Sequence, residues 1–227
     1  MKKKLLSFTI LLCVMALTVT SVFSVVNAAS FQVDINMKGL SDGIRDAIKQ
    51  NPELAYSSNP YDYIKDNPYY SNIVKLGTKA LPVIEKKIKD SNKNGLQEYI
   101  LAISAEEIAK VDLKGSNFGW SNAKDWVSVW KNHLSDIPTN VNLIIESKEY
   151  TNIKIDKLIK LGTPAIPYVM DAIEKGQAEL SPVLEKLLEE NSNIVLDKKE
   201  VNDINVWISN NKNKEEITLL RSLTIEK

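Results

Sequence analysis

The sequence predicts an all-α protein, a short and irregular α-solenoid of stacked helical pairs. Residues 75–84, which read KLGTKALPVI, recur further along the chain as residues 160–169, which read KLGTPAIPYV. Apolar residues continue on both sides of each copy at the spacing of an amphipathic helix. A self-similar segment is the usual mark of a repeat architecture. Helical pairs that follow one another in sequence stack into a solenoid.

Each copy predicts a helix, a stop and a second helix. Gly77 and Gly162 follow an apolar helix, and we expect each to end it in the left-handed conformation, which glycine adopts at no steric cost. The threonine after each glycine can cap the next helix. Pro82 and Pro167 then fall in the first turn of that helix, where the missing amide costs little. These four residues are the predicted corners of the repeat.

The motif Leu-Gly-x-x-Ala-(Ile/Leu)-Pro-x-(Ile/Val), at residues 76–84 and 161–169, resembles HEAT-like repeats. The similarity is greatest to the short kind named after phycobilisome lyases. The spacing of the two copies is about twice a normal HEAT period, so Val111–Tyr150 would be a degenerate repeat or an insertion. The resemblance implies an α-solenoid scaffold that binds other molecules. It does not imply lyase chemistry, and it assigns no catalytic residue.

The N-terminus has the three parts of a signal peptide. Lysines at positions 2–4 precede an apolar run, Leu5–Val26, and Ala28 offers a small residue for cleavage before Ala29. We therefore expect residues 1–28 to be removed and the protein to be secreted. The apolar run is also long enough to span a bilayer, so a retained N-terminal membrane anchor is the alternative.

The expected mature chain, residues 29–227, has the length of a single domain. A possible internal boundary lies in the glycine-containing loop at residues 111–121. The precursor carries 29 basic and 29 acidic residues, and loss of the leader's lysines leaves an acidic protein, which disfavours nucleic acid as a partner. The only cysteine, Cys13, leaves with the leader, which excludes disulfides and thiolate metal sites. We expect no cofactor, no metal and no membrane contact after cleavage.

The remaining elements follow from periodicity and capping signals. Phe31–Ile35 alternates apolar and polar residues, which predicts a short extended segment. Asn-Pro pairs at residues 59–60 and 67–68 predict two successive helix starts. Asp90–Gly95 matches only the first half of a calcium-binding loop, so we expect a turn between helices. Other helices are predicted, in chain order, at Ser41–Gln50, Gly95–Lys110, Ser121–Leu134, Pro138–Ser147, Tyr150–Leu161, Leu180–Glu190, Asp197–Asn210 and Lys214–Ile225.

Aromatic residues supply the candidate binding site. Four tyrosines lie within Tyr61–Tyr70, and Trp120 lies on the 111–121 loop. Large rings with a polar edge can anchor a sugar or a peptide. Tyr61, Tyr70 and Trp120 are therefore the candidate ligand-binding residues. The alternative is that the tyrosines only pack one helix against another.

Glu107 is the candidate polar residue. It falls in line with Ile100 and Ile103 on the predicted helix Gly95–Lys110, and a carboxyl group on an apolar face can have a raised pKa and act as a general acid. The alternative is a helix-end glutamate that pairs with a lysine. Its neighbour Glu106 is expected to point elsewhere, so the two do not form a fixed carboxylate pair.

His133 is the only histidine in the chain. It falls on the apolar face of the predicted helix Ser121–Leu134, together with Trp126 and Trp130. A zinc site would need further histidine or cysteine ligands, and no Gly-x-Ser-x-Gly elbow accompanies His133 as in a serine hydrolase. We therefore expect His133 at the rim of a packed helix and the two tryptophans in the core.

These observations predict an exported, non-catalytic binding or scaffold protein whose partner is a protein or a cell-wall polymer. Few side chains could supply an acid, a base and a nucleophile together. The alternative is a wall-associated hydrolase, or an accessory protein that binds carbohydrate, acting through Trp120, the tyrosines and Glu107. The two readings differ in whether those residues line one cleft or make separate contacts between helices.

Overall fold

The computed structural model describes residues 2–115, 119–189, 196 and 203–225, with side chains described from Val26 onward. Regular structure in these ranges is entirely helical, without a strand, so the all-α prediction is confirmed. Short 3₁₀ turns join several of the helices. The α-helices are α1 (Lys2–Gln50), α2 (Tyr61–Ile64), α3 (Pro68–Lys75), α4 (Leu81–Asp90), α5 (Leu96–Ala109), α6 (Ala123–Glu146), α7 (Thr151–Lys160), α8 (Ile166–Glu174), α9 (Ser181–Leu188), α10 (Ile204–Asn211) and α11 (Glu215–Leu223).

A single long helix, α1, replaces the separate elements expected near the N-terminus. The prediction of an extended segment at Phe31–Ile35 is wrong, because these residues lie inside α1. The side chains of Ala29, Val33 and Leu40 are at most 2% exposed and recur at helical spacing along its buried face. The alternation of apolar and polar residues at Phe31–Ile35 is therefore a short part of the apolar stripe along α1. The helix ends at Gln50, as expected.

The expected leader and an expected helix cap both fall within α1. The side chains of residues 5–25, which make up nearly all of the apolar run, lie outside the described residues, so export stays a prediction. The predicted helix start at Ser41 is wrong, since its hydroxyl donates to the carbonyl of Met37 at 2.8 Å inside the helix. Among the helices described with side chains, none is both long enough and apolar enough to cross a membrane.

The first copy of the repeated segment forms the corner between α3 and α4. Gly77 has φ 66°, in the left-handed region. A 3₁₀ turn at Gly77–Ala80 follows, so Thr78 lies in that turn and does not cap α4 as predicted. Its hydroxyl donates instead to Oε1 of Glu216 at 2.8 Å. Pro82 lies in the first turn of α4. Both α3 and α4 then pack against α5, which completes a unit of three helices.

The second copy forms an equivalent corner between α7 and α8. Gly162 has φ 77° and precedes a 3₁₀ turn at Thr163–Ala165, so Thr163 is likewise not a cap. Pro167 lies in the first turn of α8. Both α7 and α8 pack against α9, as α3 and α4 pack against α5. The repeat in the sequence is thus also a repeat of helix contacts.

Helix α6 lies between the two units and contacts α4, α5, α7 and α8. Two helices were predicted here, but α6 is continuous with Pro138 in its interior. Proline removes one backbone hydrogen bond. The buried stripe Trp126, Trp130, Leu134 and Val141 nevertheless continues in register across it, and burial of that stripe outweighs the lost bond.

The C-terminal helix α11 contacts α1, α8 and the 3₁₀ turns at both corners. Arg221 on α11 donates to the carbonyl of Pro167 at 3.0 Å and pairs with Asp171 at 2.8 Å. Lys212, which precedes α11 in the sequence, pairs with Glu174 on α8 at 2.6 Å. Helix α10 was predicted from residue 197, but residues 197–202 lie outside the described residues. Two basic side chains thus hold the C-terminal segment on the acidic face of α8.

Candidate functional site

The candidate residues from the sequence meet at the C-terminal half of α5. Tyr70, on α3, donates its hydroxyl to Oε2 of Glu107 at 2.5 Å. The indole Nε1 of Trp120 donates to Oε1 of Glu106 at 2.5 Å. Tyr61, at the start of α2, lies close enough to Glu106 and Lys114 for their charges to affect the pKa of its hydroxyl group. The structure therefore brings all four candidates into one neighbourhood, with Glu106 in addition.

Trp120 is part of the core. Its side chain is 4% exposed, and its ring lies 4.6 Å from that of Tyr99 at an interplanar angle of 51°. The ammonium group of Lys114 lies over both rings, 4.8 and 5.0 Å from their centroids, in cation–π contact. Leu113 of the same loop is also buried. Trp120 therefore does not offer its ring to a ligand, and the 111–121 loop is anchored by the buried side chains of Leu113 and Trp120.

Glu106 is the more enclosed of the two neighbouring glutamates. Burial raises its pKa, while the hydrogen bonds from the Trp120 indole and the Leu113 amide act in the opposite direction. Glu106 and Glu107 thus have different partners, Trp120 and Leu113 for the first and Tyr70 for the second. Helix α5 is buried on most of its sides, so one apolar stripe cannot tell which of two adjacent glutamates faces inward. Only the contact with the 111–121 loop identifies Glu106.

Tyr70 and Glu107 form the second contact of this neighbourhood. The Tyr70 side chain is 7% exposed, and burial, followed by its bond to Glu107, raises its pKa far above the usual range. Tyr70 therefore remains a neutral hydrogen-bond donor. Asn67 positions it, since the Asn67 side chain caps α3 by accepting from the amides of Tyr69 and Tyr70. Tyr70 is buried between helices and does not face solvent.

Tyr61 is the candidate that remains at the surface, at 54% exposed. Partial burial raises its pKa, and the nearby Lys114 opposes that rise. Tyr56, at 88% exposed, and Tyr69, at 39%, lie on the same stretch of chain. Tyr63 fixes this stretch, because its hydroxyl lies 2.8 Å from the carbonyl oxygens of both Leu54 and Ser57. We call residues 56–69 the tyrosine segment.

His133 belongs to a row of stacked rings along α6. Trp126 and Trp130 are fully buried, 5.6 Å apart and nearly parallel, and His133 stacks on Trp130 at 5.9 Å. Its Nε2 lies 3.0 Å from the carbonyl oxygen of Leu161, the residue before the second corner glycine. Burial lowers the pKa of His133, while Leu161 and Asp136 act in the opposite direction. The imidazole therefore fastens α6 to the second corner.

Acid is expected to weaken the fold through His133. Its pKa is lower in the folded state than its ordinary value of 6.5, so the stability it contributes is complete above about pH 6.5 and is lost as the pH falls toward the folded pKa. Urea unfolding between pH 7.5 and pH 5 measures this loss. His133→Gln, which cannot titrate, should show a flatter profile over the same range. Equal slopes for the two proteins would contradict the assignment.

The segment Asp90–Gly95, which matches the first half of a calcium-binding loop, lies beside the ammonium group of a lysine. Residues 91–95 form the turn between α4 and α5, as predicted. The Nζ atom of Lys124, on α6, donates to the carbonyl oxygens of Ile88, Lys89 and Ser91 at 2.5, 3.1 and 2.6 Å. Within the described ranges, no group of three or more His, Cys, Asp or Glu residues could hold a metal ion. The positive charge at this turn is thus supplied by the protein.

Comparison with protein-family models, with curated proteins and with solved structures gave no match for this chain. The resemblance to HEAT-like repeats therefore depends on the two repeated segments and on the equivalent contacts of the helices around them.

Proposed function

We propose that this chain is an exported, non-catalytic binding or scaffold protein that holds a protein or a cell-wall polymer at its tyrosine segment. The observation that carries the proposal is the exposure of Tyr56, Tyr61 and Tyr69 on one short stretch of chain. Amphipathic aromatic rings dominate contacts with macromolecules, since they bring large area at small entropic cost. The hydrogen bonds of Tyr70 to Glu107 and of Tyr63 to the carbonyl groups of Leu54 and Ser57 hold the backbone that presents these rings.

The repeat supports a scaffold of the HEAT-like, α-solenoid type. The three-helix units α3–α5 and α7–α9 make equivalent contacts, and each turns its corner at a glycine of positive φ. Stacked units of this kind present several helices side by side, which suits a large partner. The irregular features are α6 between the units and α11 across both corners.

The groups that could supply acid–base chemistry already have structural partners. Glu106 accepts from Trp120, Glu107 accepts from Tyr70, and His133 bonds the Leu161 carbonyl. A general acid or base must instead reach the proton of a bound substrate. These contacts favour binding over catalysis.

The alternative, a wall-associated hydrolase or carbohydrate-binding accessory protein, is favoured by one observation. Glu106 has a raised pKa and lies in the neighbourhood of the exposed Tyr61, as expected for a general acid beside a sugar-binding ring. Turnover of a purified wall glycan, lost in Glu106→Gln but not in Glu85→Gln, would replace the binding proposal with this one.

The tyrosine segment is tested by Tyr56→Ala together with Tyr61→Ala. We expect retention of the protein on isolated wall material, or on an identified protein partner, to fall by about tenfold or more. The thermal melt should change little, because both rings are exposed. Tyr150→Ala is the matched control, since that ring is 81% exposed at the start of α7. Retention that is unchanged in the double variant, or equally reduced in the control, would contradict the proposal.

A further inference from the structure

Two adjoining cavities along α4 form one groove. Each has a volume of about 430 Å³, and they share Val26, Pro82, Lys86 and Asp90. The walls come from α4, α6 and the N-terminal part of α1, with Leu223 of α11 at one end. Val26 and Asn27 of α1 belong to the expected leader, so after cleavage Ser30 is the part of α1 that lines the groove. We call this feature the lysine groove, after its charged lining, Lys86, Lys87, Lys89 and Lys131.

The lining of the groove has more positive than negative charge, although the whole chain has a formal net charge of +0. Against its four lysines stand the carboxylates of Glu85 and Asp90. Lys86 pairs with Asp90 at 2.5 Å, Lys131 pairs with Glu85 at 3.4 Å, and Lys87 pairs with Asp34 of α1 at 2.5 Å. Each of these ammonium groups has three N–H donors, so one carboxylate does not satisfy it. Lys89 makes no ion pair with any other residue that the structure describes.

The internal repeat makes α8 the counterpart of α4, so the surface of α8 can be compared with the lysine groove. Aligning the two copies places Pro82 on Pro167, Lys86 on Asp171, and Lys89 on Glu174. The face of α8 is therefore acidic where the face of α4 is basic. The acidic face is covered by the C-terminal segment of the same chain.

Basic side chains hold the C-terminal segment on α8, and they bind the residues that align with Pro82, Lys86 and Lys89 of α4. Arg221 of α11 bonds the Pro167 carbonyl and pairs with Asp171, while Lys212, at the end of α10, pairs with Glu174. A helical segment with basic residues thus lies on the acidic copy of the surface. On α4 the charges are reversed, and within the part of the chain that the structure describes the equivalent position is a groove.

We infer that the lysine groove is a docking site for an acidic helical segment of a partner protein, which would lie on α4 as α10 and α11 lie on α8. Its carboxylates would meet Lys86 and Lys89, in the relation that Arg221 and Lys212 have to the acidic residues of α8. Its apolar side chains would meet the uncharged part of the groove, which includes Pro82, Val83 and Leu134. This inference does not rest on the tyrosine segment, which contributes no residue to the lining.

Other anionic partners fit the groove less well. The lining contains no aromatic side chain, whereas sites for single-stranded nucleic acid use aromatic rings to stack the bases. A bilayer surface is broad and flat, but the lysines line a concave groove. An unstructured anionic polymer would use the charges alone and would leave the apolar part of the groove uncovered.

The α10–α11 segment itself supplies the probe for a test. A synthetic peptide of residues 203–225 that carries Lys212→Glu and Arg221→Glu presents carboxylates where the chain's own segment presents basic groups. We expect it to bind the full-length protein, measured by titration calorimetry or fluorescence anisotropy. Lys86→Gln with Lys89→Gln should weaken that binding by about tenfold or more, since two ionic contacts are lost. The unaltered peptide should not bind the parent groove.

Matched variants separate docking from general attraction between charges. Lys157→Gln with Lys160→Gln changes the net charge equally on α7, and Lys157, like Lys86, is in one surface ion pair. This control should bind the altered peptide like the parent protein. In the reverse exchange, Lys86→Glu with Lys89→Glu should bind the unaltered peptide and reject the altered one. This gain of binding requires a folded protein, so it cannot come from unfolding.

Three outcomes would overturn the inference. The altered peptide could fail to bind the parent protein, it could be weakened equally by the α7 control, or polyphosphate could bind the groove more tightly than the peptide does. The last result would identify the groove as a site for an anionic polymer. Tyr56→Ala with Tyr61→Ala should leave peptide binding unchanged, so failure here and failure of the tyrosine segment are separate results.

Discussion

Gly162→Ala is expected to destabilise the protein by about 3–5 kcal/mol. Gly162 has φ 77°, where a residue with a side chain is strained. Its added Cβ would also lie 2.2 Å from the carbonyl oxygen of Ala109 and 2.4 Å from a methyl group of Val111. The first of these atoms belongs to the backbone of α5, so it cannot move aside without shifting the helix.

Denaturant unfolding of Gly162→Ala and Gly176→Ala separates the two causes. Gly176 also has a positive φ, 104°, but an added Cβ there meets nothing within 4 Å. Its variant should therefore lose only the strain, about 1–2 kcal/mol. If both variants lost equal stability, the close packing of the second corner on α5 would contribute nothing beyond strain.

Lys124→Met is expected to destabilise the protein by about 2–3 kcal/mol. Methionine keeps most of the length of the side chain but leaves the carbonyl groups of Ile88, Lys89 and Ser91 without their shared donor. Hydrogen bonds from charged groups contribute more than neutral ones, and a cation at the C-terminal end of α4 also interacts favourably with the helix dipole.

Lys154→Met is the control for that variant. Lys154 donates to one carbonyl, that of Ile145 at the end of α6, at 2.6 Å. Its loss should cost about 1 kcal/mol. Thermal and urea unfolding of both variants gives the comparison. Equal losses would mean that the three-carbonyl site at the α4–α5 turn is no stronger than a single hydrogen bond from a lysine to one carbonyl group.

The corners of the fold could be predicted because their cause is local. A glycine after an apolar run, followed by a threonine and then a proline, sets backbone angles whatever the surroundings are. Gly77 and Gly162 both have positive φ values. The error concerned the threonines, because a 3₁₀ turn and an N-cap use the same residues and differ only in how the next helix packs.

Longer elements were less predictable, because packing decided them. Pro138 favours a break, yet α6 continues through it, since its stripe must cover both repeat units. Phe31–Ile35 reads as an extended segment when taken alone, but it is one part of a helix 49 residues long. In both cases the deciding contacts come from residues distant in the sequence.

The candidate site was half predictable for the same reason. Residue types pointed to Tyr61, Tyr70, Trp120 and Glu107, and these four do lie near one another. Their exposure to solvent could not be predicted from the sequence. Tyr61 faces solvent, while Tyr70 and Trp120 are buried. Burial raises the pKa of Glu106, and its hydrogen-bond partners lie on the 111–121 loop, whose contacts leave no periodic signal in the sequence.

The contact between α11 and α1 joins the two ends of the chain, and it has a consequence for the order of folding. Contacts between residues so far apart in sequence require closure of a loop that contains the helices α2 to α10, which is slow compared with local helix formation. During synthesis, which proceeds from the N-terminus, α1 therefore lacks one of its packing partners until α11 has left the ribosome, so the packing of α1 is completed later than that of the helices between them.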